Sequence, residues 1–584
     1  MASLTPIWSE RPLRGRTIGL RVVILEEKRP HECGKEVCAP ATVNYSLAKQ
    51  PRRDSRSNVI SKNETLRRCN HPINVCGGTE PCRRQALGTD STILASSIAN
   101  IDESVINVAL PAIETDLATS IMTIQWLVNA YTLCLSALLL VGGASADQFG
   151  RRRFFIVGVS IFAASSLWCG IAPSLTQLIS ARAAQGVGAA LLIPCSLALI
   201  GATFDESERG KAIGTWAGSS AVATAIAPLL GGWIVDHFSW RWIFLINPLL
   251  ALPTIWIAYR HLPESRDPEA KPGLDWRGAI LVLLGLGGLV YGLIAAPISG
   301  WSDPIVLASL TGGSVSLVGF TCVELWSGAR MLPLALFRSR TFSAVNLLTL
   351  LLYAALGGVL FFLPFALIQL HEYPATLAGA AFLPFTILMA GLSRWAGGLL
   401  DRFGARLPLV IGPAIAALGI GVMAATVTNG SYWQFLFSIV ILGFGMVVCV
   451  APLTTTVINA VPAHQVGVAS GINNAVSSVA NLFAVAILGG VAVATLDHVL
   501  DQHLQGGALS EPAKHAIEAA RGQLVIGPAL GSIQGADRAI AELIFKGALA
   551  ESVRSVLFVA ALLALGASAA GLLIPRSADI ERQQ

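Results

Sequence analysis

The chain has 584 residues, of which 54% are hydrophobic and only 13% charged, and its mean hydropathy is +0.64. Soluble globular proteins carry about 25% charged residues, so a water-soluble fold is excluded for most of the chain. The formal net charge of +5 belongs to the tail alone, because residues 1–88 hold 16 Lys/Arg against 8 Asp/Glu while the remainder holds 24 against 27.

That basic tail, residues 1–89, contains Cys33, Cys38, Cys69, Cys76 and Cys82 together with His31 and His71. The Cys33-x4-Cys38 and Cys69-x6-Cys76-x5-Cys82 spacings miss the tight pairs of structural zinc sites, so no metal is expected. The tail reads either as disordered or as sequence upstream of the true start. There is no Met between Met1 and Met122, so a later start would need a codon other than ATG. The first residues lack the apolar run and small-residue cleavage site of a signal peptide, which leaves the first span as its own insertion signal.

A helix needs roughly 20 mainly apolar residues to cross the hydrocarbon core. Apolar runs between charged or Pro/Gly breaks give spans near 92–113, 122–146, 154–173, 176–203, 212–235, 242–260, 278–297, 305–325, 342–364, 377–399, 407–427, 433–456, 467–493 and 552–574. The fold class is therefore all-α membrane protein with fourteen spans. Cys134, Cys169, Cys195, Cys322 and Cys449 lie singly in or at the ends of these runs and read as small apolar residues. If the first span starts in the cytoplasm, Arg151, Arg152, Arg153, Arg209, Lys211, Arg260, Arg266, Lys271, Arg277, Arg330, Arg338, Arg340, Arg402 and Arg406 fall in cytoplasmic loops. The short outer loops then hold only Arg241, which satisfies the positive-inside rule with both termini cytoplasmic, as in a bacterial inner membrane.

An internal repeat organises the bundle. Gly143-Ala-Ser-Ala-Asp147-Gln-Phe-Gly150-Arg151-Arg152 follows the second span, and Gly397-Gly-Leu-Leu-Asp401-Arg402-Phe-Gly404 follows the tenth. Both lie on the same side, so the two halves share an orientation. Eight spans separate the copies; with six per half, two are inserted between them. The expected partition is a six-helix bundle at 90–270, two inserted spans at 271–327, and a second six-helix bundle at 328–584 with an outer loop at 494–551. Helical patterning in that loop, at Pro512–Arg521 and Ala536–Ile544, permits an amphipathic cap over the outer mouth or a surface excursion without function.

Five strings carry a family resemblance: Ile101-Asp-Glu-Ser-Val-Ile-Asn-Val-Ala-Leu-Pro111, Trp126-Leu-Val-Asn-Ala-Tyr131 leading to Asp147 and Gly150, Arg182-Ala-Ala-Gln-Gly-Val-Gly-Ala-Ala190, Pro228-Leu-Leu-Gly231-Gly232, and Trp240-Arg-Trp-Ile-Phe-Leu-Ile-Asn247. Over residues 90–580 the chain resembles the major facilitator superfamily and, within it, the fourteen-span drug:proton antiporter group. The resemblance implies proton-driven export of small amphiphilic compounds such as drugs, dyes and antibiotics, with Arg182 in proton coupling. Departures are Gln148, where a basic residue is usual, and Ala227, where the antiporter signature around Gly218, Pro228, Gly231 and Gly232 has glycine. A metabolite or lipid transporter on the same fold and a non-transporting membrane sensor remain the alternatives.

The most informative residues are charges where lipid should forbid them. Asp102 and Glu103 lie near the middle of span one, where a carboxylate must protonate or find a partner. Adjacent residues point about 100° apart on a helix, so only one is expected to face a central cavity. Asp102 matches the family's first-span acid and is the first choice; Glu103 is an extra acid. For both, a structural carboxylate satisfied by neighbouring helices is the alternative. Arg182 sits within roughly 8 Å of Asp102 in depth, a gap its side chain can largely close, and its charge could hold or release the Asp102 proton as the conformation changes; a purely structural arginine is the rival. Asp147 is expected to pair with Arg151 or Arg152, or to face a helix N-terminus of the other half, as a cytoplasmic gate. Asn100, Asn107, Gln125, Asn129, Gln185, Asn346, Gln369, Asn473, Asn474 and Asn481 are further intramembrane polar residues, and Arg394 has no assigned role. No nucleotide-binding loop is present. The expected partners are a small amphiphilic substrate, protons and the lipid bilayer, with a periplasmic adaptor protein as a further candidate; no cofactor and no nucleic acid are expected, the proton gradient supplying the energy.

Overall fold

The computed structural model describes residues 80–575 apart from 205, 267–274, 327–333, 429, 463–464, 506–509, 520, 522 and 525–535. The tail with its Cys/His residues lies outside the described residues. A chain in hydrocarbon must satisfy every backbone polar group internally, and a helix does this within one segment. Accordingly, fourteen helical segments among the described residues are long and apolar enough to span a membrane. The protein is an all-helical, multi-pass membrane protein.

In chain order, α1 (Glu80–Asp116), α2 (Ile121–Phe149), α3 (Arg151–Ile171), α4 (Leu175–Thr203), α5 (Glu206–His237) and α6 (Trp242–His261) pack together as one group. A hairpin of α7 (Trp276–Ser299) and α8 (Pro304–Trp326) follows and rests on α2 and α14 through α7. The second group comprises α9 (Arg340–Phe365), the broken span α10 (Ala375–Ala380) and α11 (Leu383–Phe403), then α12 (Arg406–Thr426), α13 (Tyr432–Asn459), α14 (Val466–Gln505), the short α15 (Glu511–Ala519) and α16 (Ala536–Gly571). In the segment 494–551, α14 continues to Gln505 and α16 already begins at Ala536.

Each copy of the repeat makes its reversal with one glycine. Gly150 joins α2 to α3 at φ +123° and Gly404 joins α11 to α12 at φ +72°, values that a side chain would strain. At Gly150 a Cβ would also lie 2.8 Å from the Glu264 carboxylate.

The groups meet tightly at one face and diverge at the other. Near Asp236, a Cβ on Gly232 of α5 would fall 2.1 Å from the Ala375 carbonyl of α10, and one on Gly379 would fall 2.0 Å from the Pro228 carbonyl. The two backbones therefore touch. Toward the Gly150 face the contact is lost: a Cβ on Gly214 or Gly218 of α5, or on Gly391, Gly397 or Gly398 of α11, would meet nothing within 4 Å. The molecule is closed at the Asp236 face and splayed between α5 and α11 at the Gly150 face.

Candidate functional site

Asp102 sits at the centre of a buried network spanning α1, α2, α3, α4 and α6. Its Oδ2 accepts from Arg182 Nη1 at 2.5 Å, and its Oδ1 accepts from Gln185 Nε2 at 2.9 Å and Asn247 Nδ2 at 2.7 Å. Arg182 also donates to Gln185 Oε1 at 2.8 Å and to the Leu127 carbonyl at 3.4 Å, and its guanidinium lies 4.4 Å from the centre of the Tyr131 ring. Ser166 Oγ receives Asn247 Nδ2 at 2.9 Å and Gln185 Nε2 at 3.2 Å. The carboxylate of Asp102 is fully buried and the Arg182 side chain is 1% exposed. A buried charge is tolerable only when paired and hydrogen-bonded; here each carboxylate oxygen has at least one strong donor.

Glu103, one residue on, has turned away from this network. It lines a cavity of about 280 Å³ between the two groups, together with Asn100, Asn107, Tyr131, Arg182, Tyr353 and Asn481. The volume lies near the lower end for small-molecule sites. Among the described residues Glu103 has no ion pair, and Glu103 and Arg182 are the charged residues of the lining. Asp102 is absent from that lining. The structure thus brings Asp102 and Arg182 together and gives Glu103, rather than Asp102, the cavity face.

The turn at 143–152 packs within its own half. Arg151 Nε bonds Asp147 Oδ1 at 2.8 Å. The Glu264 carboxylate accepts from the Arg152 backbone at 3.0 Å and lies 3.7 Å from Arg153 Nε, while Arg152 Nη1 donates to the Leu262 carbonyl at 3.0 Å. A Cβ on Gly143 would lie 3.5 Å from Pro194 of α4. In the second copy Gly397 faces open space and Arg402 is exposed; the Asp401 side chain lies outside the described residues. Of the α5 glycines, Gly218 faces open space, Gly231 packs on Val105 of α1, and Gly232 makes the α10 contact. Ala227 is fully buried, so the methyl that replaces the expected hydrogen is accommodated in the packing. Asn473 bonds Asn346 and Thr349 across α14 and α9, which makes these side chains interhelical ties. Arg394 is exposed on α11 and makes no ion pair among the described residues.

Three contacts had no weight in the sequence reading. Asp236, at the last turn of α5, accepts from the backbone nitrogens of Ala375 and Thr376 at 3.0 and 2.7 Å and from Thr376 Oγ1 at 2.6 Å. It caps the N-terminus of α10 across the gap between the groups, where a carboxylate complements the helix dipole. Glu114, near the same face of α1, accepts from the Leu524 backbone at 2.6 Å, tying the α15–α16 connection to the first group. Asn247 closes the Trp240–Asn247 string, but nothing in that string shows that its amide reaches Asp102.

A buried ion pair beside a central cavity, in a bundle of fourteen spans, is the architecture of a membrane transporter. The family model described as "Major Facilitator Superfamily" matches residues 92–485. The chain belongs to the major facilitator superfamily; it is a transport protein and not an enzyme. It is 32% identical over 436 residues to the Multidrug resistance protein Stp of Mycobacterium tuberculosis, an alignment covering 74% of this chain and 81% of that protein. It is 34% identical over 434 residues to the Puromycin resistance protein pur8 of Streptomyces alboniger, covering 73% and 85%, and 33% identical over 425 residues to the Cephamycin export protein CmcT of Amycolatopsis lactamdurans, covering 71% and 87%. In fold it is similar to the crystal structure of a bacterial homolog to human lysosomal transporter, Spinster, in an inward-facing and unoccupied conformation, with a TM-score of 0.61 and 17% identity over 86% of this chain and all of that one.

Proposed function

We propose that the protein is a proton-coupled secondary transporter that exports small amphiphilic compounds, of the kind named for its resistance and export relatives, across the cytoplasmic membrane by alternating access. One observation carries this reading: a fully buried Asp102–Arg182 pair borders a cavity that lies between two groups of helices closed at one face and splayed at the other. The distribution of basic loop residues supports a cytoplasmic Gly150 face, so the described conformation is inward-facing, with both termini in the cytoplasm.

In this conformation the Asp102 carboxyl group is engaged by Arg182, Gln185 and Asn247. Because Asp102, Arg182, Gln185 and Asn247 all belong to the first group, a rearrangement within that group as the two groups rock weakens the pair and lets Asp102 take a proton from the outer side. Return to the inward form restores the donors and expels the proton toward the cytoplasm. Cargo and proton thereby occupy the transporter in alternation. The Gly150 turn, with Asp147, Arg151 and Arg152, contributes the cytoplasmic closure in the outward form.

The test is accumulation of a fluorescent dye in inverted membrane vesicles energised with an acid interior. Export activity appears as uptake that an uncoupler abolishes and that Asp102→Asn loses. Uptake indifferent to the uncoupler, or undiminished in Asp102→Asn, overturns the coupling.

A further inference from the structure

The outer wall of the bundle, away from the central cavity, carries an ion pair where α12 and α16 part. At the Gly150 face these helices touch: a Cβ on Gly571, the last residue of α16, would lie 2.5 Å from the Leu409 carbonyl near the start of α12, and Ser568 Oγ donates to the Val410 carbonyl at 2.8 Å. Toward the Asp236 face they border a groove of about 350 Å³, with Gly421, Ala424 and Ala425 on one bank and Glu551, Arg554 and Phe558 on the other. The small residues leave it open, and a Cβ on Gly421 would meet nothing within 4 Å. Glu551 and Arg554 are the charged residues of the lining. Arg554 Nη1 donates to Glu551 Oε1 at 3.3 Å; both side chains are half-exposed, and neither makes another ion pair among the described residues. They precede Gly571 by 20 and 17 residues, roughly 30 and 26 Å along the helix axis. A hydrocarbon core is about 30 Å thick, so the pair stands at the headgroup level of the leaflet on the Asp236 face. Below it the exposed side chains are apolar: Phe558, Leu562 and Leu565 on α16, and Leu418 and Ile411 on α12, at spacings that share one helix face.

We propose that this groove holds one zwitterionic phospholipid, its phosphate on Arg554, its ammonium on Glu551 and an acyl chain along the track from Phe558 to Leu565. In the orientation proposed above the lipid belongs to the outer leaflet. The order of the protein groups carries the assignment. Going outward along α16 the groove presents an apolar ring at Phe558, then a cation at Arg554, then an anion at Glu551; going outward along a zwitterionic phospholipid one meets acyl chain, phosphate and ammonium. Residues three apart on a helix have Cβ atoms about 5–6 Å apart, a separation that suits two charges joined by the two-carbon bridge of an ethanolamine or choline headgroup. A half-exposed ion pair on a helix surface contributes little by itself, so exchanging the mutual contact for two headgroup contacts costs little. An anionic phospholipid fits worse: its phosphate can reach Arg554, but it brings no cation to Glu551 and its negative charge is repelled there. A small soluble zwitterion would leave the apolar track below the pair uncovered.

The test uses the full-length protein in detergent micelles, with the photoreactive residue p-benzoylphenylalanine in place of Leu562, on the acyl track and outside the charged pair. Dioleoylphosphatidylcholine and dioleoylphosphatidylglycerol are supplied in equal, limiting amounts, and the adducts formed on illumination are weighed by mass spectrometry. The phosphatidylcholine adduct is expected to exceed the phosphatidylglycerol adduct by roughly threefold to tenfold. Glu551→Gln should bring the two within twofold of each other, because the group that tells them apart is gone. Arg554→Gln should lower both adducts by a similar roughly threefold to tenfold, and Arg554→Lys should retain most of the yield. Equal adducts in the unsubstituted groove overturn the inference, as does a preference that survives Glu551→Gln or a yield indifferent to Arg554→Gln. An adduct joining two copies of the protein in place of lipid also overturns it, since the groove would then be a subunit contact.

Discussion

Arg182 Nη1 and Asp102 Oδ2 are 2.5 Å apart in a pocket with almost no exposed surface, and neither residue makes another ion pair among the described residues. Removing one member strands the other. Arg182→Ala is expected to cost about 3–5 kcal/mol of stability, read as a fall in the thermal midpoint of the purified protein. The double variant Asp102→Asn with Arg182→Gln, in which neither member of the pair is left charged without the other, should be less destabilised than the sum of the single changes. A strictly additive cycle would mean that the two side chains act independently.

Asp236 makes its three acceptor contacts to α10 across the two groups of helices. Hydrogen bonds to a charged group contribute about 1.5–3 kcal/mol, so Asp236→Asn should shift the balance toward the form open at this face by roughly tenfold or more. Spin labels on the facing ends of α5 and α10 would report the change as a longer distance population. An unchanged distribution would show that the backbone packing at Gly232 and Gly379 suffices by itself.

That packing supplies a second prediction. A methyl on Gly232 or Gly379 would lie 2.1 or 2.0 Å from a carbonyl oxygen of the opposing helix, far inside van der Waals contact. Gly232→Ala and Gly379→Ala should each block closure at the Asp236 face and abolish turnover, whereas Gly218→Ala, where the same atom meets open space in this conformation, should leave closure at the Asp236 face intact. Equal tolerance at all three positions would contradict the observed contact.

Between spans, Glu372 bonds Lys546, and that hydrogen bond together with the ammonium charge lowers the carboxyl below its usual value of 4.5. A depressed pKa means that the folded state binds the proton less readily than the unfolded state. Its stabilising contribution is therefore present above about pH 4.5 and lost as pH falls through the depressed value. The melting difference between wild type and Glu372→Gln should be flat from pH 6 to 8 and should shrink only below pH 4.5. A difference that varies around neutrality would point to another group.

The spans were legible because hydrocarbon leaves the backbone so few options: Ile121–Phe149 and Tyr432–Asn459 can hardly be anything but helices, and the Gly150 and Gly404 turns mark their own reversal. Asp102 and Arg182 stood out as charges in apolar runs. The rotation of α1 about its axis did not, since it is set by packing against α4, α5 and α6, and this decides which of two neighbouring acids sees the cavity. Asp236 was invisible for another reason. In sequence it is an ordinary acid near a helix end, and its partners lie 139 and 140 positions away. The continuations of α14 and α16 beyond the apolar runs are amphipathic and polar, so hydropathy alone could not distinguish them from loop.

The hairpin α7–α8 makes the two flanks of the bundle unequal. Because α7 leans on α2 of one group and α14 of the other, it stands like a buttress outside one of the two seams of the bundle, with α8 turned almost wholly to lipid. Among the described residues no such wall stands outside the α5–α11 seam. A twofold bundle would offer the bilayer two equivalent flanks; in this molecule a protein screen borders one seam and leaves the other without one, so the two flanks are not equivalent.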